Sequence, residues 1–276
     1  MASKSLSGRH GDFIYLTWRS HDETKVVSCL GRTFALQLDV SALVNSPDFR
    51  RITPGIETLR TNLSLPRHRH LRAYATVVLA GSFEESGYAG RIRAEAGDVL
   101  VHPMLDCHAN QMVSAGVKLI RLYWSDTNGV GGLYRLDEVD ALARVAEKDL
   151  GDATLLLQSA LGTGWPFPPG KRNDWPDLLA VALTQDASIK ISTWAEANGL
   201  ARETVSRGFA AAYGIVPTVF RAELRARAAW LRVTQGSDSL CAIAAETGFA
   251  DQAHMTRWIH RITGAPPGAW RDNPPG

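Results

Sequence analysis

Three histidines in the N-terminal half are spaced as metal ligands often are. His68 and His70 are separated by one residue, just before an apolar run that predicts a strand, and His108 follows about forty residues later. Side chains two positions apart on a strand point to the same face, and an imidazole from another strand would complete three ligand positions. Zinc is the natural divalent ion for imidazole ligands. The spacing therefore indicates a candidate metal or small-molecule site.

Three interpretations of these histidines stay open. They line a small-molecule pocket without metal, they hold a divalent ion, or they belong to a degraded motif and are hydrogen-bonded structurally or exposed on a loop. The neighbouring arginines, Arg67, Arg69 and Arg72, would favour an anionic ligand if they point inward, and are solvated otherwise.

Other polar residues nearby have a functional and a plain structural interpretation. His102 either lines the pocket or faces outward from its strand. Glu84 and Glu85 are expected on an exposed turn rather than as ligands. Cys107, next to His108, is expected to be a small buried residue rather than a redox or metal thiol.

The elements that must position these residues differ between the two halves of the chain. Between about residues 34 and 122, short apolar runs such as Tyr74–Leu79, Val99–Val101 and Val117–Trp124 alternate with Gly and Pro. This pattern predicts the short strands of a sandwich or small barrel. From about residue 136 the apolar spacing becomes helical, over 139–146 and then 155–161. Residues 162–177 are rich in Gly and Pro and predict a linker or exposed loop.

The C-terminal third contains an internal repeat. In its first block, Ala195, Gly199, Leu200 and Ala201 recur as Ala244, Gly248, Phe249 and Ala250. In its second block, Val205, Arg207, Phe209, Gly214, Pro217, Phe220 and Arg221 recur as Met255, Arg257, Ile259, Gly264, Pro267, Trp270 and Arg271. Each unit predicts a short helix, a glycine that ends it, a tight turn, and a second helix that stops at Gly-x-x-Pro. Two helices joined in this way predict a helix-turn-helix.

The segment between the two units predicts a long, stiff helix over 217–233. At 1.5 Å per residue, roughly 17 residues span roughly 25 Å. With the widths of the helices added, the second helices would lie about 34 Å apart, which is one turn of B-DNA. A plain helical bundle does not require the same unit twice with an arginine, Arg207 and then Arg257, at the same outward position.

Composition is that of an ordinary folded protein. The chain has 276 residues, 45% hydrophobic and 21% charged, which suits one large domain or two modest ones. No apolar run approaches the ~20 residues of a membrane-spanning helix, and the N-terminus lacks the apolar stretch of a secretory signal, so we expect a cytoplasmic location. The three cysteines are far apart and do not predict a disulfide framework. A net charge of +2 neither requires nor excludes a nucleic-acid partner.

Residues 186–272 resemble the DNA-binding domain of AraC-type transcription regulators. The resemblance lies in WAEANGLARETVSRGFAAAYGIVPTVFRAELRARAAWLR and LCAIAAETGFADQAHMTRWIHRITGAPPGAWR, above all in the IA-x-x-x-GF segment and the closing G-x-x-P-x-x-W-R. It implies that the second helix of each unit enters the major groove. By position, these helices would offer to DNA Arg202, Glu203, Ser206, Arg207, Gln252, His254, Thr256 and Arg257.

The chemistry of these side chains permits such contacts. Arginine suits guanine and glutamine suits adenine, whereas Ser and Thr reach phosphate or base. Glu203 either accepts a hydrogen bond from cytosine or stabilises the start of its helix. The chain departs from the family pattern at Met255 and Ile259, where phenylalanines are more usual, and Gly208 weakens the first recognition helix by ~1 kcal/mol relative to Ala.

The N-terminal half resembles the cupin barrel, whose first motif is HxH, an acid and Gly, and whose second is Gly, Pro, His. The first motif here reads His68, His70, Tyr74, Gly81, with tyrosine in place of the metal-binding glutamate. The second reads Gly97, Pro103, Leu105, His108, with Leu105 in place of a glycine. The resemblance implies a ligand site at His68, His70, Tyr74 and His108, with the three histidines as the metal ligands. Cupin-like domains are also the usual sensors of AraC-type regulators.

Together these observations predict a two-domain α+β protein. We expect a cupin-like ligand-sensing β-barrel over 1–135, a helical connector with dimer helices and linker over 136–174, and an AraC-type domain with two helix-turn-helix units over 175–276. The expected function is a sequence-specific, effector-controlled transcription regulator without catalytic residues. The expected partners are an operator in double-stranded DNA, a small-molecule effector, RNA polymerase and a second copy of the chain. The alternative is a metal-dependent cupin enzyme fused to a DNA-binding tail, although the missing acid at Tyr74 argues against it.

Overall fold

The computed structural model describes residues 5–10, 13–20, 23–28, 49–125, 131–161 and 174–272. The first three segments are strands β1 (Ser5–His10), β2 (Phe13–Ser20) and β3 (Glu23–Ser28), which pair antiparallel in the order β1-β2-β3. The sequence patterns did not predict these strands. Most of the Gly- and Pro-rich segment, 162–173, and the start of the predicted β region, 34–48, lie outside the described residues.

Nine further strands form two antiparallel sheets. They are β4 (Gly55–Arg60), β5 (Ser64–Arg69), β6 (Tyr74–Ala80), β7 (Ser82–Gly87), β8 (Gly90–Glu95), β9 (Asp98–His102), β10 (Cys107–Met112), β11 (Gly116–Tyr123) and β12 (Gly132–Arg135). The four-stranded sheet has the order β5-β10-β7-β8, and the five-stranded sheet has the order β12-β9-β6-β11-β4. No strand is shared between them, so within the described residues the expected barrel is an open two-sheet sandwich.

The alternation of residues along β6 shows how the sequence builds this sandwich. Tyr74 and Thr76 face the space between the two sheets, where they line a cavity. Ala75 and Val77 face the opposite side, where they pack with buried residues of two helices. A strand between two apolar layers therefore reads as an almost continuous apolar run.

Those two helices cover the outer face of the five-stranded sheet. They are α1 (Val139–Ala146) and α2 (Leu150–Leu161), and Leu142, Leu157 and Leu161 point from them into the sheet. Leu155 and Leu156 lie on the other side of α2 and are exposed. The predicted helical spacing is confirmed, with α2 beginning five residues earlier than expected.

The remaining described residues are helical. The helices are α3 (Trp175–Gln185), α4 (Ile191–Ala197), α5 (Arg202–Tyr213), α6 (Pro217–Gln235), α7 (Leu240–Glu246), α8 (Gln252–Thr263) and α9 (Pro267–Asp272). The segment 175–177, predicted as part of the loop, is instead the first turn of α3, because proline is well tolerated at a helix start. Among the helices described, none is both long enough and apolar enough to cross a membrane.

The internal repeat appears as two copies of one backbone path. Gly199 and Gly248, which follow α4 and α7, have φ values of 66° and 76°. Gly214 and Gly264, which end α5 and α8, both have φ of 74°. These left-handed values favour glycine because it has no Cβ. The two-domain α+β fold class is therefore confirmed, and its helical part is built from two helix-turn-helix units joined by α6.

One arginine of α6 makes hydrogen bonds to loops next to both units. The Arg225 guanidinium donates through Nε and Nη2 to the carbonyl oxygen of Ala187, before the first unit, at 2.9 and 2.5 Å. It also donates through Nη1 to the carbonyl oxygen of Gly248, in the turn of the second unit, at 2.7 Å. Because one rigid, planar group holds both loops, α6 acts as the frame that sets their separation.

Gly208 lies inside α5 because another side chain occupies the space beside it. A Cβ built at this position would lie 2.4 Å from Cζ2 of Trp175. Trp175 at the start of α3 thus packs directly against the backbone of the first recognition helix. The glycine that weakens α5 as an isolated helix is needed for the packing of α3 onto it.

We predict that Gly208→Ala destabilises the protein, although alanine is the better helix former. Overpacking costs ~1–3 kcal/mol and the gain in helix propensity is ~1 kcal/mol, so the net loss in urea unfolding should reach up to ~2 kcal/mol. The matched control is Gly268→Ala in α9, where no atom lies within 4 Å of the added Cβ. Equal stability of the two variants would show that Trp175 does not restrict α5.

Candidate functional site

The three histidines predicted to form a site come together in the sandwich. His68 and His70 leave β5 on the same face, and His108 reaches them from the adjacent strand β10. The ring centroids of His68 and His70 lie 4.8 Å apart, and those of His68 and His108 lie 4.7 Å apart. All three side chains are buried, and each offers a ring nitrogen within 4.8 Å of the others.

In two of the three rings, hydrogen bonds fix which nitrogen is free. Nδ1 of His68 lies 2.8 Å from the carbonyl oxygen of Pro66, and Nδ1 of His70 lies 2.8 Å from that of Arg50. A carbonyl oxygen only accepts, so Nδ1 carries the proton and Nε2 keeps its lone pair. Nδ1 of His108 lies 3.4 Å from Asp106, while its Nε2 faces the Tyr74 hydroxyl at 3.1 Å. Backbone partners like those of His68 and His70 orient metal-binding histidines in proteins, whereas Nδ1 of His108 makes no hydrogen bond to a described residue.

Burial keeps two of these rings neutral. It lowers the pKa of His68 to about 3, with the nearby ring of His108 adding to the effect. Burial, together with the rings of His108 and His68, lowers the pKa of His70 to about 2. Burial also raises the pKa of the Tyr74 phenol well above its usual value, so the phenol stays protonated. His68 and His70 therefore present neutral imidazoles, the form that binds a metal ion.

Two carboxylates and a fourth histidine adjoin the cluster. Glu85 is buried on β7 and accepts a hydrogen bond from Asn110 at 2.8 Å, so the expectation of an exposed turn was wrong for this residue. His102 is also buried, 3.8 Å from Glu85 and 3.0 Å from Asp106. Burial alone would lower the pKa of His102, but the carboxylates of Glu85 and Asp106 outweigh it and raise the pKa.

Glu85 supplies an acid near the position where the cupin motif lacks one. Together with His102 and His108 it forms a second group of buried ligand atoms within 4.8 Å of one another. The residue arrives from β7, a strand that the HxH motif does not include. The sequence signal that could have revealed it is the two-residue spacing from Phe83, which places Glu85 on the same face of β7 as an apolar residue.

The histidine cluster forms the polar end of a cavity between the two sheets. The cavity has a volume of about 660 Å³. Its other walls are mixed: apolar side chains such as Leu59, Phe83 and Leu119 lie beside the charged Glu57 and Arg121. We call this space the sensor cavity. Its size and mixed lining suit a small molecule with one polar end and an apolar body.

The arginines between the histidines face away from the sensor cavity. Arg67 and Arg69 alternate with His68 and His70 along β5, and their guanidinium groups reach into the helical domain. Arg67 Nη2 donates to Glu223 at 2.9 Å and Arg69 Nη2 donates to the same carboxylate at 3.0 Å. From the sequence we expected these arginines either to point into the site or to be solvated. Arg67 and Arg69 do neither.

Glu223 lies in α6, between the two helix-turn-helix units, and is buried. The Tyr88 hydroxyl also donates to its carboxylate, at 2.9 Å. Burial alone would raise the pKa of Glu223, but Arg69 and Arg67 outweigh it and hold the pKa below its usual value. The carboxylate is therefore ionised and ties the four-stranded sheet to the frame of the DNA-binding units.

Leu105 explains a departure from the cupin motif. Its φ is 61°, in the left-handed region that favours glycine. Its side chain is fully buried among core residues of the second unit, including Trp230, Ile243 and Met255. The loop thus has a backbone conformation that favours glycine, and the leucine at this position makes apolar contacts with the helical domain.

Cys107 and His108 are neighbours on β10 and point to opposite faces of the sheet. Cys107 is buried next to His108 and belongs to the apolar cluster that contains Leu179, Phe209 and Phe220 of the helical domain. Burial raises the pKa of its thiol to about 11, so it is a packed thiol and not a reactive thiolate. The expectation of a small buried residue is met.

The residues expected to contact DNA lie on the second helix of each unit. Those that are exposed are Arg202, Glu203, Arg207, Gln252 and Arg257; those that are half-buried are Ser206, His254 and Thr256. Val205 and Phe209 on α5, and Met255 and Ile259 on α8, occupy the buried faces. The replacement of the usual phenylalanines by Met255 and Ile259 is therefore a change of core packing.

Two of these side chains have contacts within the domain. His254 Nε2 accepts a hydrogen bond from the Trp258 indole at 3.1 Å. Gln252 Oε1 accepts one from the Cys241 thiol at 3.0 Å. The start of α8 is capped by Asp251, whose carboxylate accepts from the backbone N–H of His254 at 2.6 Å. These bonds orient the N-terminal turn of α8, from which a recognition helix contacts base edges.

Comparison with known families agrees with this geometry. Residues 194–273, which contain α6, the second unit and all but the first three residues of the first unit, match the profile of a helix-turn-helix domain. The chain carries an AraC-type helix-turn-helix domain. The AraC-type domain contains all eight residues that we expect to contact DNA. No curated protein matches the sequence significantly.

Several solved structures show a distant similarity. Unsaturated fatty acid-bound ToxT from Vibrio cholerae is 8% identical, with a TM-score of 0.35 over 79% of this chain and 95% of that chain. The C-terminal domain of the response regulator yesN from Fusobacterium nucleatum is 18% identical, with a TM-score of 0.32 over 34% and 94%. The nickel(II) complex of the pirin YhhW from Escherichia coli is 17% identical, with a TM-score of 0.27 over 29% and 39%. Similarity at this level assigns no ligand to the chain.

We predict that the metal-free protein loses stability as the pH falls from 6.5 to 5. His68 and His70 have lowered pKa values, so the unfolded chain binds protons there that the folded chain does not. Each such histidine costs up to about 1.4 kcal/mol per pH unit. His102 offsets only a small part of this loss, because its raised pKa keeps it protonated in the folded chain and the unfolded chain becomes protonated there as the pH falls below 6.5.

Urea unfolding at several pH values measures this slope. His70→Gln, which cannot be protonated, should reduce the slope by about half, whereas His260→Gln on the exposed face of α8 should leave it unchanged. A stability that does not vary between pH 6.5 and 5 would contradict the neutral state of the two rings.

Proposed function

We propose that this protein is a sequence-specific transcription regulator whose DNA binding is controlled by a small molecule in the sensor cavity. The observation that carries the proposal is that alternate side chains at the end of β5 point to opposite faces of the sheet. Its alternate residues place His68 and His70 in the sensor cavity, and Arg67 and Arg69 on Glu223 of α6. An effector that moves this strand therefore acts directly on the helix that spaces the two DNA-binding units.

In this proposal, effector binding changes the relative populations of two arrangements of the protein. In the docked state described here, Glu223, Leu105 and Cys107 hold both units against the four-stranded sheet. An effector that binds more tightly to one arrangement of β5 favours that arrangement by the difference in its affinities. The units then gain or lose the spacing that two successive turns of the major groove require.

The lining of the sensor cavity limits the class of effector. The imidazole Nε2 atoms and the Asn110 amide give one end a polar character, and the leucines and Phe83 accept an apolar body. A small molecule with a polar head and an apolar body fits both parts. Such a ligand would be bound for sensing, and we propose that the protein catalyses no reaction on it.

We further propose that His68, His70 and His108 bind one divalent metal ion, with zinc as the natural choice. Three imidazoles are a common ligand set for zinc. The carbonyl partners of Nδ1 in His68 and His70 leave the Nε2 atoms of these two rings free to bind it. Bound there, the ion would offer an open position to the polar end of the effector. A metal-dependent enzyme remains the alternative function, since Glu85 supplies a carboxylate close to the cluster.

Two partners besides DNA and the effector belong to the proposal. A second copy of the chain is supported by the exposed apolar face of α2, where Leu155 is 65% and Leu156 is 40% exposed. Isolated surface leucines are common, but two adjacent ones on a short helix fit a helical dimer contact. RNA polymerase is the further partner that control of transcription requires.

The proposed function predicts that two arginine substitutions weaken DNA binding and relax base preference at two different base pairs. Once an operator is selected from random double-stranded DNA, Arg257→Ala should weaken binding by ~1–3 kcal/mol and relax the preference at its own base pair. Arg207→Ala should do the same at a site about one helical turn away. The control Arg60→Ala removes an exposed arginine from the sandwich and should change affinity little.

Competition binding against operators with single base changes measures both quantities. Equal weakening on every sequence would show that the arginine contacts only phosphate. Failure of the protein to select any sequence would contradict the proposed function.

The metal proposal predicts one bound zinc ion per chain after dialysis of the protein against zinc and then against buffer. His68→Ala with His108→Ala should abolish this binding, because one imidazole cannot retain the ion. His260→Ala, on an exposed histidine of α8, is the matched control. Elemental analysis gives the stoichiometry, and a wild-type protein without stoichiometric metal would refute the metal site while leaving the effector proposal in place.

A further inference from the structure

One side of α8 carries a tryptophan that contacts two polar neighbours on the same helix. Trp258 lies four residues after His254 and three residues before Arg261, spacings that place side chains next to each other on a helix. Its indole Nε1 donates a hydrogen bond to His254 Nε2 at 3.1 Å. The guanidinium carbon of Arg261 lies 5.1 Å from the centre of the Trp258 ring. We call these three side chains the Trp258 cluster.

Trp258 fixes which nitrogen of the His254 ring carries the proton. An indole N–H only donates, so Nε2 of His254 accepts and the proton of the ring is on Nδ1. Phe249 packs edge-on against the same half-buried ring, with the ring centroids 5.3 Å apart and an interplanar angle of 84°. None of the described residues accepts a hydrogen bond from Nδ1. The ring therefore presents one oriented N–H group near the start of α8.

Arg261 places a positive charge beside this N–H group. Its side chain is exposed, and no carboxylate within the described part of the chain pairs with it. The negative face of an aromatic ring attracts a cation, so Trp258 restricts the movement of this long side chain. Because His254, Arg257 and Arg261 follow one another at i, i+3 and i+7, they share one face of α8. The Trp258 cluster therefore adjoins the arginine that we expect to read a base.

We propose that the Trp258 cluster binds phosphate groups of the DNA backbone beside the second unit, with Trp258 as the positioning residue for His254 and Arg261. The proposal rests on the proposed function, since it requires DNA in contact with α8. Phosphate oxygens accept hydrogen bonds and carry negative charge, which suits an oriented N–H donor next to a cation. Contacts of this kind set the register of a protein on the duplex and carry no sequence information themselves.

The first unit supports a phosphate contact over a base contact for this side of the helix. Fifty residues earlier, the corresponding positions are Thr204, Gly208 and Ala211. Trp175 of α3 occupies the space beside Gly208, and Ala211 lines a cleft against the four-stranded sheet. In the first unit the protein itself thus covers part of this side, while Arg207 stays exposed. The side therefore flanks the base-reading position, and we expect it to meet the DNA backbone in the second unit.

The salt dependence of DNA binding by the full chain tests this proposal. Two duplexes of equal length are used, an operator selected from random DNA and an unrelated sequence. The slope of log Kd against log salt changes by about 0.9 for each phosphate that a cation neutralises on B-DNA. Arg261→Gln should therefore lower the slope by about one on both duplexes and weaken binding to both by a similar factor. Arg60→Gln, the same change at an exposed arginine of β4, should leave slope and affinity unchanged.

Trp258→Phe separates positioning from structural support, because phenylalanine keeps a ring beside Arg261 and removes the indole N–H. It should weaken binding to both duplexes about fivefold, since one hydrogen bond to DNA loses its orientation, and it should leave the salt slope unchanged. In a His254→Ala background the same change should have no further effect. Nitrogen-15 NMR of the His254 ring should show the proton on Nδ1 in the wild type and a mixture of both neutral forms in Trp258→Phe.

Three results would overturn the proposal and leave the proposed function in place. They are an unchanged salt slope in Arg261→Gln, a loss of affinity confined to one base pair of the operator, and an equal effect of Trp258→Phe with and without His254. A wild-type protein that selects no sequence would contradict the proposed function, and the slopes on the unrelated duplex would still decide the phosphate contacts. A protein that binds neither duplex would contradict both.

Discussion

The buried carboxylate of Glu223 is the interaction on which the arrangement of the two domains depends. It lies in the helix that separates the DNA-binding units, and its three hydrogen-bond donors, Arg67, Arg69 and Tyr88, all come from the sandwich. Removing one partner of a buried ion pair commonly costs 3–5 kcal/mol, because the remaining charges are left without compensation. Because a partly broken contact at Glu223 is this costly, intermediate positions of the helical domain are disfavoured. The helical domain is therefore either docked on the sandwich or released from it.

The four-stranded sheet links ligand binding on one face to the position of the helical domain on the other face. Because side chains alternate along a strand, β5 and β10 send imidazoles into the sensor cavity and send Arg67, Arg69 and Cys107 toward the helices. No long pathway of residues is required between the two sites. A shift of the backbone by a fraction of an ångström moves both sets of side chains together.

Local patterns in the sequence predict the repeated units and the histidine cluster, since both depend on short spacings. The left-handed glycines Gly214 and Gly264 mark the ends of the recognition helices, and the HxH spacing places two imidazoles on one face. The partner of Arg69, Glu223, is 154 positions away in the chain, and no periodicity links the two residues. The role of Leu105 was hidden for the same reason, because its side chain packs against a domain that follows much later in the sequence.

Hydrogen–deuterium exchange of Glu223→Gln, compared with wild type and with Glu196→Gln on the exposed face of α4, tests the role of this carboxylate most directly. We expect faster exchange in β5 and in α6, while the inner turns of α8, whose core is independent of Glu223, keep their protection. Glu196→Gln should behave as wild type. If β5 and α6 exchange at wild-type rates without the Glu223 charge, the two domains are not held together by this interaction, and the proposed route from the sensor cavity to DNA is wrong.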